Sequence, residues 1–282
     1  MSTSSNKADT NLAAIVVGAG PAGAAAAFHI AHAGHRVILL EEQDFPGQAN
    51  PCGGGMAASV QRWFPFDLSP AVDQVIRRVR FTWALSDPVD ATLPGDAPFW
   101  ITRRQVLDSF LARQAQEAGA ELRCSCRAEA IGRDEGLWKV RLAGGETLTA
   151  KAIVIADGSS SGHAQALGLG SPRPRYASTV SVEIDAAVVA PDQARFDFGL
   201  LQHGFCWVFP RASGTSIGMG TFIGQDAADG DAVLRALLPS LGLPADAGVR
   251  RQGRLRLWDG HHPLHRGEGA VRSEEHTSEL QS

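Results

Sequence analysis

The sequence predicts an α/β protein, α+β overall. A Rossmann-like nucleotide-binding domain on a parallel sheet is joined to a second domain on an antiparallel sheet. Two observations predict it. Residues 12–41 read strand, glycine-rich turn, helix, strand, acid. Residues 173–222 alternate strand-like stretches with turns.

Leu12–Val17 is an apolar run suited to a buried parallel strand. Gly18-Ala19-Gly20-Pro21-Ala22-Gly23 follows. Gly18 makes the tight turn out of the strand, Gly20 lets a pyrophosphate approach the backbone, and Gly23 lets helix and strand pack closely. Pro21 and Ala22 open a helix whose N–H groups and dipole bind an anion. That helix runs to about Ala33, Gly34 ends it, and Val37–Leu40 is a second buried strand. Glu41 lies 18 residues after Gly23, close to the spacing at which a carboxylate accepts from an adenosine ribose. An acid here, not an arginine, selects against a 2′-phosphate, so the turn suits FAD or NAD and not NADP. Glu42, one residue past the strand, points away. Asn11 to Gly34 carries no charged side chain, yet its glycines and proline break a membrane span early. His29, His32 and His35 are read as decorating the helix C-terminus, where positive charge is favourable, and not as metal ligands.

Arg103-Arg104 precede a helical pattern through Val106, Leu107, Phe110 and Leu111 to a stop at Gly119. Strands are expected at Glu121–Cys126, Leu137–Leu142 and Glu146–Thr149, with Gly144-Gly145 as a hairpin turn. Ala152–Ala156 is another buried strand and ends at Asp157-Gly158. A carboxylate and an approachable backbone are presented there to a further phosphate or ribose. In the later region, Val180–Ile184, Ala194–Leu200, Phe205–Pro210 and Ser216–Phe222 fit an antiparallel sheet, with a helix at Asp231–Leu238. Phe205, Trp207 and Phe209 alternate and share one face. That face is either an apolar wall for a long hydrocarbon or a sheet core facing the helix. Trp63, Phe64, Phe66 and Leu68 form a second aromatic cluster, expected to be buried; the competing reading is a tunnel mouth on a bilayer.

Composition excludes several classes. The chain has 282 residues, 44% hydrophobic and 20% charged, with a formal net charge of −4. That is globular, and no basic excess points to nucleic acid. Four cysteines are too few and too scattered for a disulfide framework, so a reducing cytoplasm is expected. No metal is expected. Cys124 and Cys126 share a predicted strand face without further ligands at suitable spacing, and the His261–His265 run lacks a carboxylate partner. Residues 1–11 are polar and read as a frayed lead-in, not a signal peptide. Residues 272–282 (RSEEHTSELQS) are polar, acidic and aperiodic. They are similar to a reading frame of a sequencing adapter, so a non-native tail on a chain cut near Val271 is expected.

The motifs GAGPAGAAAA, LLEE, PCGGGM (Pro51–Met56), TRRQVLD (Thr102–Asp108), IADGSSS (Ile155–Ser161) and GFCWVFP (Gly204–Pro210) together resemble the geranylgeranyl reductase family. These are FAD-dependent enzymes with the p-hydroxybenzoate hydroxylase type of fold. The resemblance spans about Leu12 to Val271. It implies that Gly18, Gly20, Gly23 and Glu41 hold the ADP half of FAD. Arg104, or its neighbour Arg103, would reach the flavin's phosphate or ribityl region. Ala128 would lend backbone to the adenine, and Asp157 and Gly158 would form the second pyrophosphate motif. The Cys52-Gly53-Gly54-Gly55 loop would lie beside the isoalloxazine, with Cys52 either a proton donor or a small apolar filler. The family lines a prenyl tunnel with the GFCWVFP motif and has tyrosine where Phe205 stands. Its next segment, a strand running into Gly-Asp, should start just after Val271.

The implied activity is reduction of prenyl C=C bonds with electrons from NAD(P)H. The alternatives are an aromatic monooxygenase of the same fold and an inactive, truncated nucleotide-binding fragment. The expected partner is an isoprenoid, lipid-like small molecule, with possible peripheral membrane contact and no transmembrane segment. Residues 12–75 and 100–171 would form the FAD domain, and 76–99 and 172–265 the substrate domain.

Overall fold

A computed structural model describes residues 12–48, 52–159, 162–222, 229–257, 260–262, 264–266 and 269–272. The chain opens with β1 (Ala14–Val17), α1 (Pro21–His32) and β2 (Val37–Leu40). Next come β3 (Gly55–Ala57), β4 (Val72–Ile76), β5 (Arg78–Trp83), β6 (Ser86–Thr92) and β7 (Phe99–Thr102). Then follow α2 (Arg104–Glu117), β8 (Glu121–Arg123), β9 (Ala128–Asp134), β10 (Leu137–Leu142), β11 (Thr147–Ala150), β12 (Ala152–Ile155) and the short α3 (His163–Ala166). The remainder is β13 (Arg175–Ile184), β14 (Gln193–Phe198), β15 (Gly204–Pro210), β16 (Thr215–Thr221), α4 (Gly230–Ser240), β17 (Arg251–Leu257), β18 (His265–Arg266) and β19 (Ala270–Arg272).

The chain divides into two compact units. One holds residues 1–48, 108–174 and 258–282, the other 49–107 and 175–257. Residues 49–75 and 100–107 therefore belong with the second unit, whereas the sequence placed them with the first. The reason is pairing and packing. β3, β7 and β4 form their own three-stranded sheet, and Ile76 and Ile101 share a core with Trp207 and Phe209.

In the first unit the sheet order is β18-β19-β12-β1-β2-β8. All neighbours run parallel except β18 with β19. β1 and β2 are buried along their whole length, which is why they read as unbroken apolar runs. Ile15, Val17, Ile38, Leu40, Ile153 and Ile155 pack with Trp138, Val140 and Leu142 of the β9–β10–β11 meander. The predicted strand at Glu121–Cys126 stops early. Ser125 has a φ of +53°. Its N–H donates to the Gln43 carbonyl, and the Cys126 N–H donates to the Glu41 carbonyl, both at 2.8 Å. The chain turns there, and Cys124 and Cys126 do not share a strand face. β9 escaped the sequence because most of it is exposed and carries no apolar alternation.

The second unit is built on a seven-stranded sheet in the order β17-β13-β16-β15-β14-β5-β6. It is antiparallel except where β14 pairs parallel with β5. The sequence predicted only antiparallel pairing and left β5 and β6 unassigned. On one face Leu234, Leu237 and Leu238 of α4 pack on Val180, Val182, Cys206, Val208, Ile217 and Met219. Asp229 caps α4, accepting from the Asp231 and Ala232 N–H groups at 3.1 and 3.2 Å. Burial pushes the Cys206 thiol up to about 12.

Asp197 on β14 is fully buried. It accepts from Arg195 Nη2 at 2.7 Å and from the Thr82 hydroxyl of β5. A charge so placed is tolerated only while paired. Asp197→Ala should lower the unfolding free energy by about 3–5 kcal/mol, read from urea denaturation. Arg78→Ala, which breaks the exposed pair with Asp192, should leave the midpoint unchanged.

The cluster after the PCGGGM loop is not buried as a whole. Leu68 is buried, but Trp63 is 62% exposed. It ends a 3-10 turn (Ala58–Trp63) that buries none of its residues, and the Arg62 guanidinium lies 5.1 Å from its ring centroid. Among the described residues no helix is long and apolar enough to cross a membrane. Nor do three or more His, Cys, Asp or Glu gather as for a metal among them. The His261–His265 run lies partly outside the described residues.

Candidate functional site

In the first unit the candidate residues gather where β1 and β12 end. Gly18 has a φ of +98°, and a Cβ on it would lie 2.3 Å from the Ala156 carbonyl oxygen. A Cβ on Gly23 would lie 1.8 Å from the Gly18 carbonyl oxygen. Both positions exclude any side chain because turn, helix and strand meet there. Gly20 is the N-cap of α1, with extended backbone and no side-chain cap. Pro21 and Ala22 form the first helical turn, which contains no acidic residue. The helix's own first turn therefore places no carboxylate at the positive end of its dipole.

Glu41 follows β2 and is 9% exposed. Its carboxylate accepts from the Ala19 N–H and from the Gln43 N–H, each at 3.0 Å. The acid is thus aimed at the glycine turn by backbone, with lone pairs left for hydroxyl donors. Glu42, by contrast, is exposed. Asp157 stands beside the turn, its Cα 2.8 Å from where a Gly18 Cβ would sit. Its Oδ2 lies 2.7 Å from His163 Nδ1, a partner the sequence reading missed. Gly158 takes a φ of +83° with nothing within 4 Å of its Cβ position, so it serves the turn and not close packing. Ala128 begins β9, pairs with Leu142 and packs its side chain into the core. The uncapped helix start, the side-chain-free turn and the aimed carboxylate fit the ADP half of a flavin dinucleotide.

In the second unit the Cys52 loop lies on the aromatic face of the sheet. A Cβ on Gly53 would come within 2.9 Å of Trp207 Nε1 and 3.3 Å of Phe209 Cε2, and one on Gly55 within 3.0 Å of Phe209 Cε2. Gly54 has a φ of +78°, and its Cβ would lie 1.9 Å from the Thr102 carbonyl oxygen. These glycines let the loop press against the wall, a reason for them that the sequence did not supply. The Cys52 Sγ accepts from the Gly54 N–H at 3.4 Å. Arg103 pairs with Asp73 at 3.2 Å and donates to Ser213 Oγ at 3.0 Å. Arg104 is the first residue of α2.

Phe205, Trp207 and Phe209 do share one face, opposite to α4. Cys206 and Val208 take the α4 side, while Trp207 and Phe209 join Ile76, Val79, Ile101 and Ala194. The wall extends across strands. Phe196 lies 5.7 Å from Phe205 and 5.3 Å from Phe209, and Phe205 stacks on Phe222 at 5.2 Å, between ring centroids. Gly218, directly opposite Trp207 on β16, was also missed. A Cβ there would lie 2.2 Å from the indole ring. A glycine inside a strand beside an aromatic motif is the signal that could have found it.

Comparison with known proteins bears on this geometry. The family model described as pyridine nucleotide-disulphide oxidoreductase matches residues 13–182. Digeranylgeranylglycerophospholipid reductase 2 of Methanothermobacter thermautotrophicus is 31% identical over 218 residues, covering 73% of this chain and 56% of the relative. Geranylgeranyl diphosphate reductase of Rhodobacter capsulatus is 31% identical over 265 residues, covering 87% of this chain and 65% of the relative. Among solved structures, a geranylgeranyl bacteriochlorophyll reductase-like protein from Thermoplasma acidophilum aligns with a TM-score of 0.78 at 22% identity. That alignment covers 93% of this chain and 70% of the other and shows a shared fold. The chain spans between half and two thirds of the length of these two curated relatives.

Gly23→Ala should raise the Kd for FAD by about tenfold or more, since the Cβ forces the turn apart. Gly132→Ala, where nothing lies within 4 Å, should leave it unchanged. Quenching of FAD fluorescence on titration with each variant makes the comparison.

Proposed function

The chain belongs to the pyridine nucleotide-disulphide oxidoreductase family, and from that premise we propose that it is the larger part of an FAD-dependent reductase of isoprenoid C=C bonds. The observation that carries the reading is the Cys-Gly-Gly-Gly loop seated on Trp207 and Phe209, on the face opposite to α4. The relatives named as geranylgeranyl reductases support the same substrate class.

On this reading Gly18, Gly20, Pro21, Ala22 and Gly23 receive the pyrophosphate, and Glu41 accepts from the adenosine ribose. Arg104 reaches the ribityl side, Ala128 lends backbone to the adenine, and Asp157 and Gly158 frame the second phosphate contact. When bound, FAD supplies the two-electron reducing power that no side chain offers, and NAD(P)H replenishes it. The protein's own work is orientation and a dry surface. Phe205, Trp207 and Phe209 hold the hydrocarbon, with a gain of about 25 cal/mol per Å² of apolar surface covered. Gly53 and Gly54 keep the loop close to that surface. Cys52 delivers a proton to one alkene carbon. A thiol carries the proton that such a step needs.

A flat apolar wall distinguishes chains poorly, by about 1–3 kcal/mol per methylene, so several isoprenoids should be accepted. The test is incubation of the protein, loaded with FAD and NADPH, with geranylgeranyl diphosphate. Product mass should rise by two hydrogens per double bond reduced. A gain of one oxygen would instead mark a monooxygenase, and no flavin binding would remove the reading altogether. Cys52→Ser should lower kcat by about 100-fold or more, the usual scale of a lost general acid, with KM little changed. Trp207→Ala should act mainly through KM.

A further inference from the structure

We propose that Arg211 is the residue that positions the Cys52 loop against the aromatic wall. The inference rests on the reading of that loop given above and deepens it. Arg211 follows β15 immediately and is only 7% exposed. Its Nη1 donates to the Thr102 carbonyl at 2.6 Å. Its Nη2 donates to the Cys52 carbonyl and to Glu183 Oε1, both at 3.4 Å. Its Nε donates to Glu183 Oε2 at 3.4 Å. One guanidinium thus ties together the loop, the end of β7 and β13.

Thr102 completes the tie. Its N–H donates to the Gly54 carbonyl at 2.8 Å, and its hydroxyl donates to the same oxygen at 3.2 Å. A Cβ on Gly54 would lie 3.0 Å from Arg211 Nη1, so the glycine leaves room for the guanidinium. A planar fork can serve these acceptors at once, whereas a lysine ammonium, a point charge on a flexible stem, cannot. A buried cation is costly unless its donors are used, and every donor nitrogen here has an acceptor.

Arg211 is a positioning residue. It touches the backbone of Cys52, and its effect on chemistry runs through that loop. The experiment is site-resolved alkylation of the full chain with iodoacetamide, each cysteine followed by peptide mass spectrometry. In Arg211→Met the Cys52 rate should rise by about tenfold or more, the scale expected from losing hydrogen bonds to a charged group. Cys124 and Cys126, in the other unit, should keep their rates, and buried Cys206 should stay unlabelled. Arg211→Lys should recover part of the protection. If Arg211→Met leaves Cys52 at its original rate, the proposal fails. It fails equally if all four cysteines rise together, because the arginine would then be a general stabiliser. Should Arg211→Met not fold, Arg211→Lys carries the comparison with a smaller rise confined to Cys52, and no rise overturns it. The labelling needs no flavin. A wild-type chain that binds no FAD would therefore sink the proposed function and leave the labelling result standing.

Discussion

Backbone approaching backbone more closely than any side chain allows is the constraint on which the candidate residues of each unit depend. At Gly18 and Gly23 the turn, α1 and the end of β12 converge within distances that a Cβ would violate. At Gly54 the loop carrying Cys52 meets Thr102 in the same way. In each unit the close approach brings main chain against main chain, with charged or apolar side chains around it. The cost is conformational entropy in the unfolded chain, which glycine raises. It is offset by core packing beneath each turn, from Ile15, Val17 and Ile155 in one unit and from Ile76, Ile101 and Phe209 in the other.

The seven-stranded sheet shows how one set of strands can do two jobs. Alternation sends Cys206 and Val208 toward α4 and Phe205, Trp207 and Phe209 away from it. The α4 side is aliphatic and closed. The other side is aromatic, and Gly218 leaves room for the indole of Trp207 to lie flat. α4 packs on the aliphatic face, while Trp207 and Phe209 on the other face are buried against Ile76, Val79, Ile101 and Ala194. The buried Asp197–Arg195 pair sits on the same strand face as the α4 contacts and fixes β14 beside β5 through Thr82.

Much of this was legible in the sequence, and the parts that were not share a physical cause. β1, α1, β2, β10, β12, β15, β16 and α4 were read within a few residues, because each carries a strong local pattern: apolar runs, period-two alternation, or punctuating glycine. The turn of Gly18, Gly20 and Gly23 with Glu41 aimed at it was legible because strand, tight turn and helix start meet only at a fixed spacing. β6 and β9 were missed because exposed strands carry little hydrophobic signal, whereas β5 alternates Val79, Phe81 and Trp83 and was open to a period-two reading. The Glu121–Cys126 strand was drawn too long because the turn at Ser125 is held by long-range bonds to Gln43 and Glu41. Arg211 and His163 could not be found at all from local pattern. Each acts on a partner set by the fold, and one polar residue among many announces no spacing.

The same division explains where selectivity would come from on the proposed reading. An aromatic wall supplies affinity that grows with buried area and is nearly indifferent to which isoprene unit lies on it. It cannot by itself choose a double bond. On that reading the choice falls to whatever fixes the Cys52 loop along the wall: the close approach of Gly53 and Gly55 to Trp207 and Phe209 and of Gly54 to Thr102, with the Arg211 guanidinium holding the loop's backbone. Affinity and regiochemistry are then carried by separate features, one by the aromatic side chains and one by the loop and the arginine that holds it. A relative could change the hydrocarbon it holds by altering the aromatics and keep the same loop.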